Sequence, residues 1–202
     1  MIIAIVPAAG KSIRMGRPKL LLPLGPRRVI EHVLDALTNS SVDRTIVVLP
    51  PDAGELLSVV CAFKVEAAQL AETTPDMRSS VIFGLERAEE LAGAANPAAF
   101  LVALADQPTL SATTVNRLID RSRASTKSVF IPTYHGKRGH PVLFSWSLAP
   151  HVRAIPPDRG LDWLINQRGD EVEEFPVDDS GLLVDLDTQQ DYERLQRGDW
   201  KL

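Results

Sequence analysis

A loop of small and basic residues follows the first apolar segment of the chain. It runs from Pro7 to Lys19 with the sequence PAAGKSIRMGRPK. Its residues that could contact phosphate are Lys11, Ser12, Arg14, Arg17 and Lys19. Small residues let backbone N–H groups approach a ligand, and cations neutralise anionic oxygens. The composition therefore predicts a polyphosphate-binding loop, and the alternative is a solvated basic turn.

Two better-known phosphate loops do not fit this segment. A Walker loop requires a glycine where this chain has Ile5, and then a helix, which Gly16 and Pro18 disfavour. A dinucleotide-binding loop requires three closely spaced glycines, and this segment has only Gly10 and Gly16. The sequence therefore predicts a phosphate loop of a different kind.

Carboxylates at two places in the chain could hold a divalent cation. Asp106 follows the apolar run Phe100–Ala105, at the mouth of a predicted central strand. Asp185 and Asp187 lie two residues apart near the end of the chain, which puts them on one side of an extended segment. Mg²⁺ prefers one or two carboxylates together with water and phosphate oxygens. The pattern predicts a magnesium site built on Asp106 with Asp187 or Asp185, and leaves open which of the two it is.

The elements that position these residues alternate between strands and helices. The predicted strands are 2–6, 44–49, 64–70, 100–105, 128–132, 141–144, 171–177 and 182–186. The predicted helices are 29–37, 52–62, 77–92, 111–125, 145–155, 160–167 and 188–196. Apolar strands without polar alternation are typical of a parallel sheet covered on both faces. The pattern predicts one domain over residues 1–202, a three-layer α/β/α fold with a mostly parallel sheet, and an insertion over one edge.

Composition and charge argue against several classes of protein. A net charge of −4 and a pI near 5.6 disfavour broad binding to nucleic acid or to membrane surfaces, which requires a basic face. One cysteine, Cys61, excludes an intrachain disulfide and a zinc site built on several thiolates. The sequence shows no targeting segment and no apolar run approaching the ~20 residues that span a bilayer. We expect a soluble, cytoplasmic protein.

Several segments resemble one known family. The segment PAAGKSIRMGRPKLLLPLG resembles the signature of the MobA-like nucleotidyltransferases, and it is closest to their molybdenum cofactor cytidylyltransferase-like branch. Further matches are ALADQP with GDQP or GDMP, VDLDTQQDY with DIDTPEDL, DMRSSV with GMSSSL, and GKRGHPVLF with GRRGHPVLF. The resemblance covers residues 2–195 and implies a Rossmann-like sheet of the nucleotide-diphospho-sugar transferase type, with a small acceptor-side insertion.

The resemblance also implies a reaction. CMP would pass from CTP to a molybdopterin-type phosphorylated cofactor with release of pyrophosphate, in a site where Asp106 is a Mg²⁺ ligand. The acidic pair Asp185 and Asp187 matches the segment that supplies the family's second acidic contact. A molybdoenzyme is a possible recipient of the product.

Residue roles on the nucleotide side follow from the same resemblance. Arg14 and Lys19 would hold the triphosphate and stabilise charge at its α-phosphate. The nucleotide-binding residues would be Ala8, Ala9, Gly10, Lys11, Ser12, Ser79 and Ser80. The Ala-Ala-Gly backbone would flank the base, and in the family it goes with cytosine more than with guanine. Ser79 and Ser80 could equally cap the helix that they begin.

The acceptor side is assigned to Lys137, Arg138 and His140. The two cations would suit a second phosphate, and His140 could hydrogen-bond an acceptor or satisfy a turn. The chain departs from the family at Asp76, where Gly is usual, and at Asp162, where Arg is usual. The second change puts a negative charge where the family would hold a phosphorylated acceptor. It therefore argues against a molybdopterin acceptor more than against nucleotidyl transfer itself.

Two other interpretations stay open at this point. The acceptor could be a sugar phosphate, a methylerythritol phosphate or a phospholactate. The protein could instead bind a cofactor or a nucleotide and pass it on without catalysis. An inert carrier has no need for metal-binding carboxylates together with Arg14 and Lys19, so the sequence favours an enzyme.

Overall fold

The computed structural model describes residues 1–10 and 18–199, in which strands and helices alternate. The strands are β1 (Ile2–Pro7), β2 (Pro23–Leu24), β3 (Arg27–Arg28), β4 (Arg44–Leu49), β5 (Glu66–Gln69), β6 (Ala99–Val102), β7 (Val129–Tyr134), β8 (Lys137–Arg138), β9 (Val142–Ser145) and β10 (Val172–Pro176). The α-helices are α1 (Val29–Thr38), α2 (Glu55–Cys61), α3 (Met77–Ala92), α4 (Ala112–Arg123), α5 (Ala149–Arg153), α6 (Leu161–Gln167) and α7 (Gln189–Arg197). Short 3-10 turns lie at Lys19–Leu21, Trp146–Leu148, Gly169–Glu171 and Ser180–Leu183.

The central sheet has the strand order β10-β7-β9-β6-β1-β4-β5, with β8 paired to β7. β1 pairs in parallel with β4 and β6, β4 with β5, and β10 with β7. β9 is antiparallel to both of its neighbours, and the β7–β8 pair is a hairpin. The sheet is therefore mostly parallel, and its reversed strands come from the second part of the chain.

Helices cover both faces of this sheet. Alternate residues of β1 point to opposite faces. Ala4 belongs to the part of the core that contains residues of α1, α2, α4 and α7, whereas Ile5 belongs to the part that contains residues of α3, α5 and α6. β1 is buried on both sides, which explains its uninterrupted apolar sequence. The predicted three-layer α/β/α fold with a Rossmann-like sheet is confirmed.

Gly84 lets α3 pack closely on the sheet. A Cβ atom at this position would lie 2.6 Å from Cγ2 of Ile5 and 3.3 Å from Cγ2 of Val48. Glycine costs a helix about 1 kcal/mol relative to alanine, so its presence within α3 requires a packing reason. The close contact fixes the distance between α3 and β1, whose ends both reach the candidate site.

The prediction of a strand over residues 182–186 is wrong. Ser180–Leu183 forms a 3-10 turn, which Asp179 caps by accepting a hydrogen bond from the N–H of Gly181. The N–H of Leu186 donates to the carbonyl of Asp106 and does not pair with a sheet edge. Leu182 and Leu186 are buried in the core, so their spacing reflects packing and not strand pairing.

The other elements differ from the predictions mainly at their ends. The helix predicted over 145–155 divides into a 3-10 turn and the short α5, and α2 begins at Glu55 instead of Asp52. The predicted N-cap of α4 is confirmed, because the hydroxyl of Ser111 accepts a hydrogen bond from the N–H of Thr114. Within residues 1–10 and 18–199, no helix has the length and apolar composition that a membrane crossing requires.

Candidate active site

A cleft of about 770 Å³ opens beyond the carboxyl ends of β1 and β6. Ligands of open α/β sheets bind at this edge. The described residues that line the cleft are Pro7, Ala8, Ala9, Gly10, Lys19, Leu20, Thr73, Thr74, Pro75, Asp76, Met77, Ser80, Leu104, Ala105, Asp106, Asp185 and Asp187. Its walls thus bring together the start of the predicted phosphate loop and all three predicted metal-binding carboxylates.

The small residues after β1 form one wall of the cleft. Ala8, Ala9 and Gly10 all line it. The N–H of Ala8 donates to the carbonyl of Val48 at 2.8 Å and thereby extends the pairing of β1 with β4. This wall therefore offers a ligand its small side chains and the remaining backbone groups. The predicted phosphate contacts Lys11, Ser12, Arg14 and Arg17 lie outside the described residues.

Lys19 joins the carboxylates on the two sides of the cleft. Its Nζ donates to the carboxylate of Asp106, to Oδ1 of Asp187 at 3.1 Å and to the carbonyl of Leu186 at 2.9 Å. Burial lowers the pKa of Lys19, but the hydrogen bonds and charges of Asp106 and Asp187 outweigh it, so the pKa is raised overall. The ammonium group is therefore charged at neutral pH and lies between two negative groups.

Asp185 is exposed, whereas Asp106 and Asp187 are half-buried. Its Oδ1 accepts a hydrogen bond of 2.6 Å from the side-chain amide of Gln107. Partial desolvation of the carboxylate is the largest cause that raises the pKa of Asp185, and the negative charges of Asp106 and Asp187 add to it despite the hydrogen bond from Gln107. A cation bound between these carboxylates would offset the part of the effect that comes from their mutual repulsion.

The carboxylates fit a hard divalent cation that takes the rest of its ligands from a substrate. Among the described residues, no group of three or more His, Cys, Asp or Glu side chains is arranged to hold a metal. Asp106 and Asp187 instead share the ammonium of Lys19. One or two carboxylates completed by phosphate oxygens and water is the usual pattern for Mg²⁺.

His140 lies behind the carboxylates, outside the residues that line the cleft. Burial lowers the pKa of His140, and this effect outweighs the attraction of Asp185 and Asp106 for a protonated ring. The imidazole is therefore neutral at pH 7. Its Nδ1 is buried without a hydrogen-bond partner among the described residues. The adjoining Gly139 leaves no room for a side chain against Leu182, which keeps this segment close to the Asp185 loop.

The other two predicted acceptor residues lie away from the cleft. Lys137 and Arg138 form the exposed strand β8, and neither is among the described residues that line the cleft. Nε and Nη2 of Arg138 donate to Oε1 of Glu174 at 2.8 and 2.6 Å. An acceptor that extends from the cleft to β8 would have to compete with this exposed ion pair.

The two serines at the start of α3 have different surroundings. Ser80 is buried, lines the cleft, and its hydroxyl lies 3.1 Å from that of Thr74. Ser79 does not line the cleft, and its N–H donates to the carboxylate of Asp76 at 2.7 Å. Asp76 is therefore the N-cap of α3. The structure brings Ser80, but not Ser79, to the candidate site.

The roles of three polar residues in this region were not predicted from the sequence. They are Thr74, Asp76 and Gln107. For Asp76 the sequence does contain a signal, because an acidic residue just before a predicted helix is a common N-cap. Thr74 contacts Ser80 in the first turn of α3, and Gln107 contacts Leu182 and Asp185 far along the chain. Nothing in their local sequence indicates those contacts.

The fold and the cleft define a nucleotide-binding α/β protein of the nucleotidyltransferase class. The MobA-like NTP transferase domain matches residues 4–172 of the chain. This range is most of the sequence and includes the second half of β1, the loop after it, Asp106 and His140. The chain belongs to the MobA-like NTP transferase family.

Two curated proteins are similar to nearly the whole chain. Purine catabolism protein PucB of Bacillus subtilis is 28% identical over 207 residues, covering 97% of this chain and 96% of its own length. Nicotine blue oxidoreductase of Paenarthrobacter nicotinovorans is 30% identical over 200 residues, covering 93% of both proteins. The similarity therefore includes the segment of Asp185 and Asp187, which lies beyond the matched family domain.

Solved structures of Rv0371c from Mycobacterium tuberculosis H37Rv share this fold. One has a TM-score of 0.83 at 27% identity and covers 98% of both chains. A second, of Rv0371c in complex with manganese, has a TM-score of 0.73 at 27% identity and covers 97% of both chains. The relationship thus extends over the whole architecture, including the part with reversed strands.

Proposed function

We propose that this nucleotidyltransferase transfers CMP from CTP to a molybdopterin-type phosphorylated cofactor, requires Mg²⁺ and releases pyrophosphate. The main observation in support is the arrangement around Lys19, whose ammonium contacts Asp106 and Asp187 at the strand ends where α/β proteins bind ligands. A cation and carboxylates in one cleft suit a ligand that brings phosphates and a divalent metal together. The family supports nucleotidyl transfer, whereas the choice of CTP and of the acceptor comes from the sequence signature.

Asp106, with Asp187 or Asp185, would hold the Mg²⁺. When bound, the cation would neutralise phosphate charge and orient the phosphate oxygens. Two observations support this assignment: all three carboxylates line the cleft, and Rv0371c has been solved in complex with manganese. Mn²⁺ and Mg²⁺ both suit carboxylate and phosphate oxygens, so Mn²⁺ is a practical probe for the site.

The chain's own residues would act by positioning and by charge neutralisation. A phosphate oxygen of the acceptor attacks the α-phosphorus of CTP and forms a new P–O bond. The bond from the α-phosphorus to the bridging oxygen breaks, and that oxygen leaves with pyrophosphate. Lys19 and Arg14 would stabilise the charge at the α-phosphate. An acceptor phosphate is already ionised at neutral pH, so no general base is needed, which agrees with the position of His140 outside the residues that line the cleft.

The preference for CTP depends on the wall formed by Ala8, Ala9 and Gly10. Small residues let a base lie close to the backbone, and Ser80 adds a hydroxyl on the α3 side of the same cleft. Because the N–H of Ala8 already pairs with Val48, base contacts would use the neighbouring backbone groups. The preference for cytosine itself comes from the Ala-Ala-Gly signature.

The experiment measures pyrophosphate release with Mg²⁺, each of the four NTPs, and molybdopterin with and without molybdenum. We expect release with CTP and molybdopterin. Release with GTP instead would keep the mechanism and contradict the base assignment. Release only with a sugar phosphate, methylerythritol phosphate or phospholactate would contradict the acceptor. Binding of CTP without turnover on any acceptor would favour the carrier.

The name of the relative nicotine blue oxidoreductase describes a different reaction. The assay therefore includes NADH and NADPH with the same acceptors, followed by loss of absorbance of the reduced nicotinamide. Oxidation of either dinucleotide without pyrophosphate release from any NTP would overturn the proposed transfer. Pyrophosphate release without dinucleotide oxidation would support it.

A further inference from the structure

Gln107 is a buried polar side chain between the two segments that supply the carboxylates. It follows Asp106 directly in the chain, and only 3% of its surface is exposed. Its Nε2 donates to Oδ1 of Asp185 at 2.6 Å and to the carbonyl of Leu182 at 3.3 Å. One amide group therefore contacts the loop of Asp185 through both a side chain and the backbone.

The orientation of this amide is determined by its neighbours. The NH2 group has two hydrogens, and it faces two acceptors, the Asp185 carboxylate and the Leu182 carbonyl. The opposite orientation would place the amide oxygen against both of these oxygens. The contacts therefore identify the atom near Asp185 as a nitrogen, and they hold the carboxylate in one position.

The hydrogen-bond donor to Asp185 is a neutral amide and not a cation, which matters for the charge of the cleft. A lysine or arginine would also hold Asp185, but its positive charge would cancel the charge of the carboxylate. Gln107 holds the carboxylate and leaves its negative charge in the cleft. Hydrogen bonds of this kind orient metal-binding groups, and their loss typically weakens metal binding about 10- to 100-fold.

We propose that Gln107 is a positioning residue, which sets the cation affinity of the cleft by fixing Asp185 beside Asp106. The proposal rests on the proposed function, in which these carboxylates hold a divalent cation. It goes beyond that function because it assigns a cation-binding role to a side chain outside the cleft lining. It also gives Asp185 a part in cation binding whether or not Asp187 is a ligand.

A purely structural role for Gln107 is the main alternative, and the chain offers a matched control. The hydroxyl of Thr109 donates to the carbonyl of Gly181 at 2.7 Å, which joins the same two segments without contacting Asp185. Thr109→Val removes this link and nearly preserves shape. If the connection between the segments were all that mattered, Thr109→Val and Gln107→Met would have similar effects on cation binding.

The test measures Mn²⁺ affinity without nucleotide, by electron paramagnetic resonance, and thermal stability in the same samples. We expect Gln107→Met to weaken Mn²⁺ binding about 10- to 100-fold, and Thr109→Val to leave it unchanged. Wild-type Mn²⁺ affinity in a folded Gln107→Met protein would overturn the proposal.

A second measurement approaches the same contact from Asp185. If Gln107 acts through Asp185, then Asp185→Ala weakens Mn²⁺ binding, and adding Gln107→Met to it causes little further loss. Unchanged affinity in Asp185→Ala overturns the proposal even if the Gln107 variants do not fold. Full additivity of the two losses also overturns it.

The proposed function and this inference fail in different ways. If the wild-type protein does not bind Mn²⁺, or if Asp106→Ala binds it equally well, the proposed cation site is wrong and the inference fails with it. If Asp106→Ala abolishes binding while Asp185→Ala and Gln107→Met do not alter it, only the inference is wrong.

Discussion

The ammonium of Lys19 lies 3.1 Å from Oδ1 of Asp187, 168 residues further along the chain, and the same ammonium also contacts Asp106. Both contacts are partly buried, since the Lys19 side chain is 17% exposed. A positive group thus lies between two of the carboxylates that are proposed to hold a divalent cation. In the proposed site, Lys19 and the cation would compete for the same negative charges when no nucleotide is bound.

This competition leads to a prediction for Lys19→Met. Without nucleotide, the variant should bind Mn²⁺ about tenfold more tightly than the wild type, because removal of one positive charge leaves the carboxylates unneutralised. With CTP and acceptor, the same variant should be slower, since the triphosphate loses a cation. Titration of Mn²⁺ by electron paramagnetic resonance and a pyrophosphate-release assay measure the two effects.

Two control variants separate local competition from net charge. Lys19→Arg keeps the charge and should keep the weak affinity of the wild type for Mn²⁺. Lys127→Met removes a lysine that donates to the carbonyl of Asp170, away from the cleft, and should leave Mn²⁺ binding unchanged. Weaker Mn²⁺ binding by Lys19→Met would show that Lys19 orders the carboxylates and does not compete with the cation.

Replacement of Asp106 by alanine should abolish turnover without loss of the fold. Asp106 follows β6 and contacts Lys19, so its removal takes away the proposed cation ligand and a partner of the lysine that is proposed to hold the triphosphate. We expect pyrophosphate release to fall about 10²-fold or more. Circular dichroism and thermal unfolding check the fold. Asp120→Ala, which removes an exposed carboxylate of α4 that pairs with Arg123, serves as the control and should retain full activity.

Part of this site could be predicted from the sequence because parallel strands end at one edge of a sheet. That rule predicts that the loop after β1 lies near Asp106, and the described start of this loop, Ala8–Gly10, lines the same cleft as Asp106. Asp185 and Asp187 also reach the cleft, although not for the reason expected, since their segment is not a strand. Asp185 turns towards Gln107 and Asp187 towards Lys19. These partners are distant in sequence, and local patterns do not contain such contacts.

The N-cap of α3 gives a prediction about stability and pH. Burial raises the pKa of Asp76, but hydrogen bonds from Ser79 and the charge of Arg78 outweigh it, so the pKa is lowered overall. A carboxyl whose pKa is lower in the folded state stabilises the fold at pH above its unfolded value, about 3.9. This contribution is lost as pH falls through the folded pKa. Asp76→Ala should therefore reduce the free energy of unfolding at pH 7 by about 1 kcal/mol, and by less at pH 3.

Urea denaturation at both pH values measures this contribution. Asp76→Asn keeps an N-cap side chain but does not titrate, so it should cost only a few tenths of a kcal/mol at pH 7. The stability of Asp76→Asn relative to the wild type should improve as the pH falls. An equal cost of Asp76→Ala at pH 7 and pH 3 would contradict a role for the ionised carboxylate.

The contact between α3 and β1 predicts that Gly84→Ala destabilises the protein, although alanine is the better helix former. The propensity gain is about 1 kcal/mol, whereas overpacking of a rigid core costs about 1–3 kcal/mol. The new Cβ would lie 2.6 Å from a methyl group of the fully buried Ile5, which cannot rotate away without disturbing β1. We therefore expect a net loss of up to about 2 kcal/mol by urea denaturation. In an Ile5→Ala background the clashing methyl is absent, so Gly84→Ala should there be neutral or stabilising, and an equal cost in both backgrounds would contradict the packing explanation.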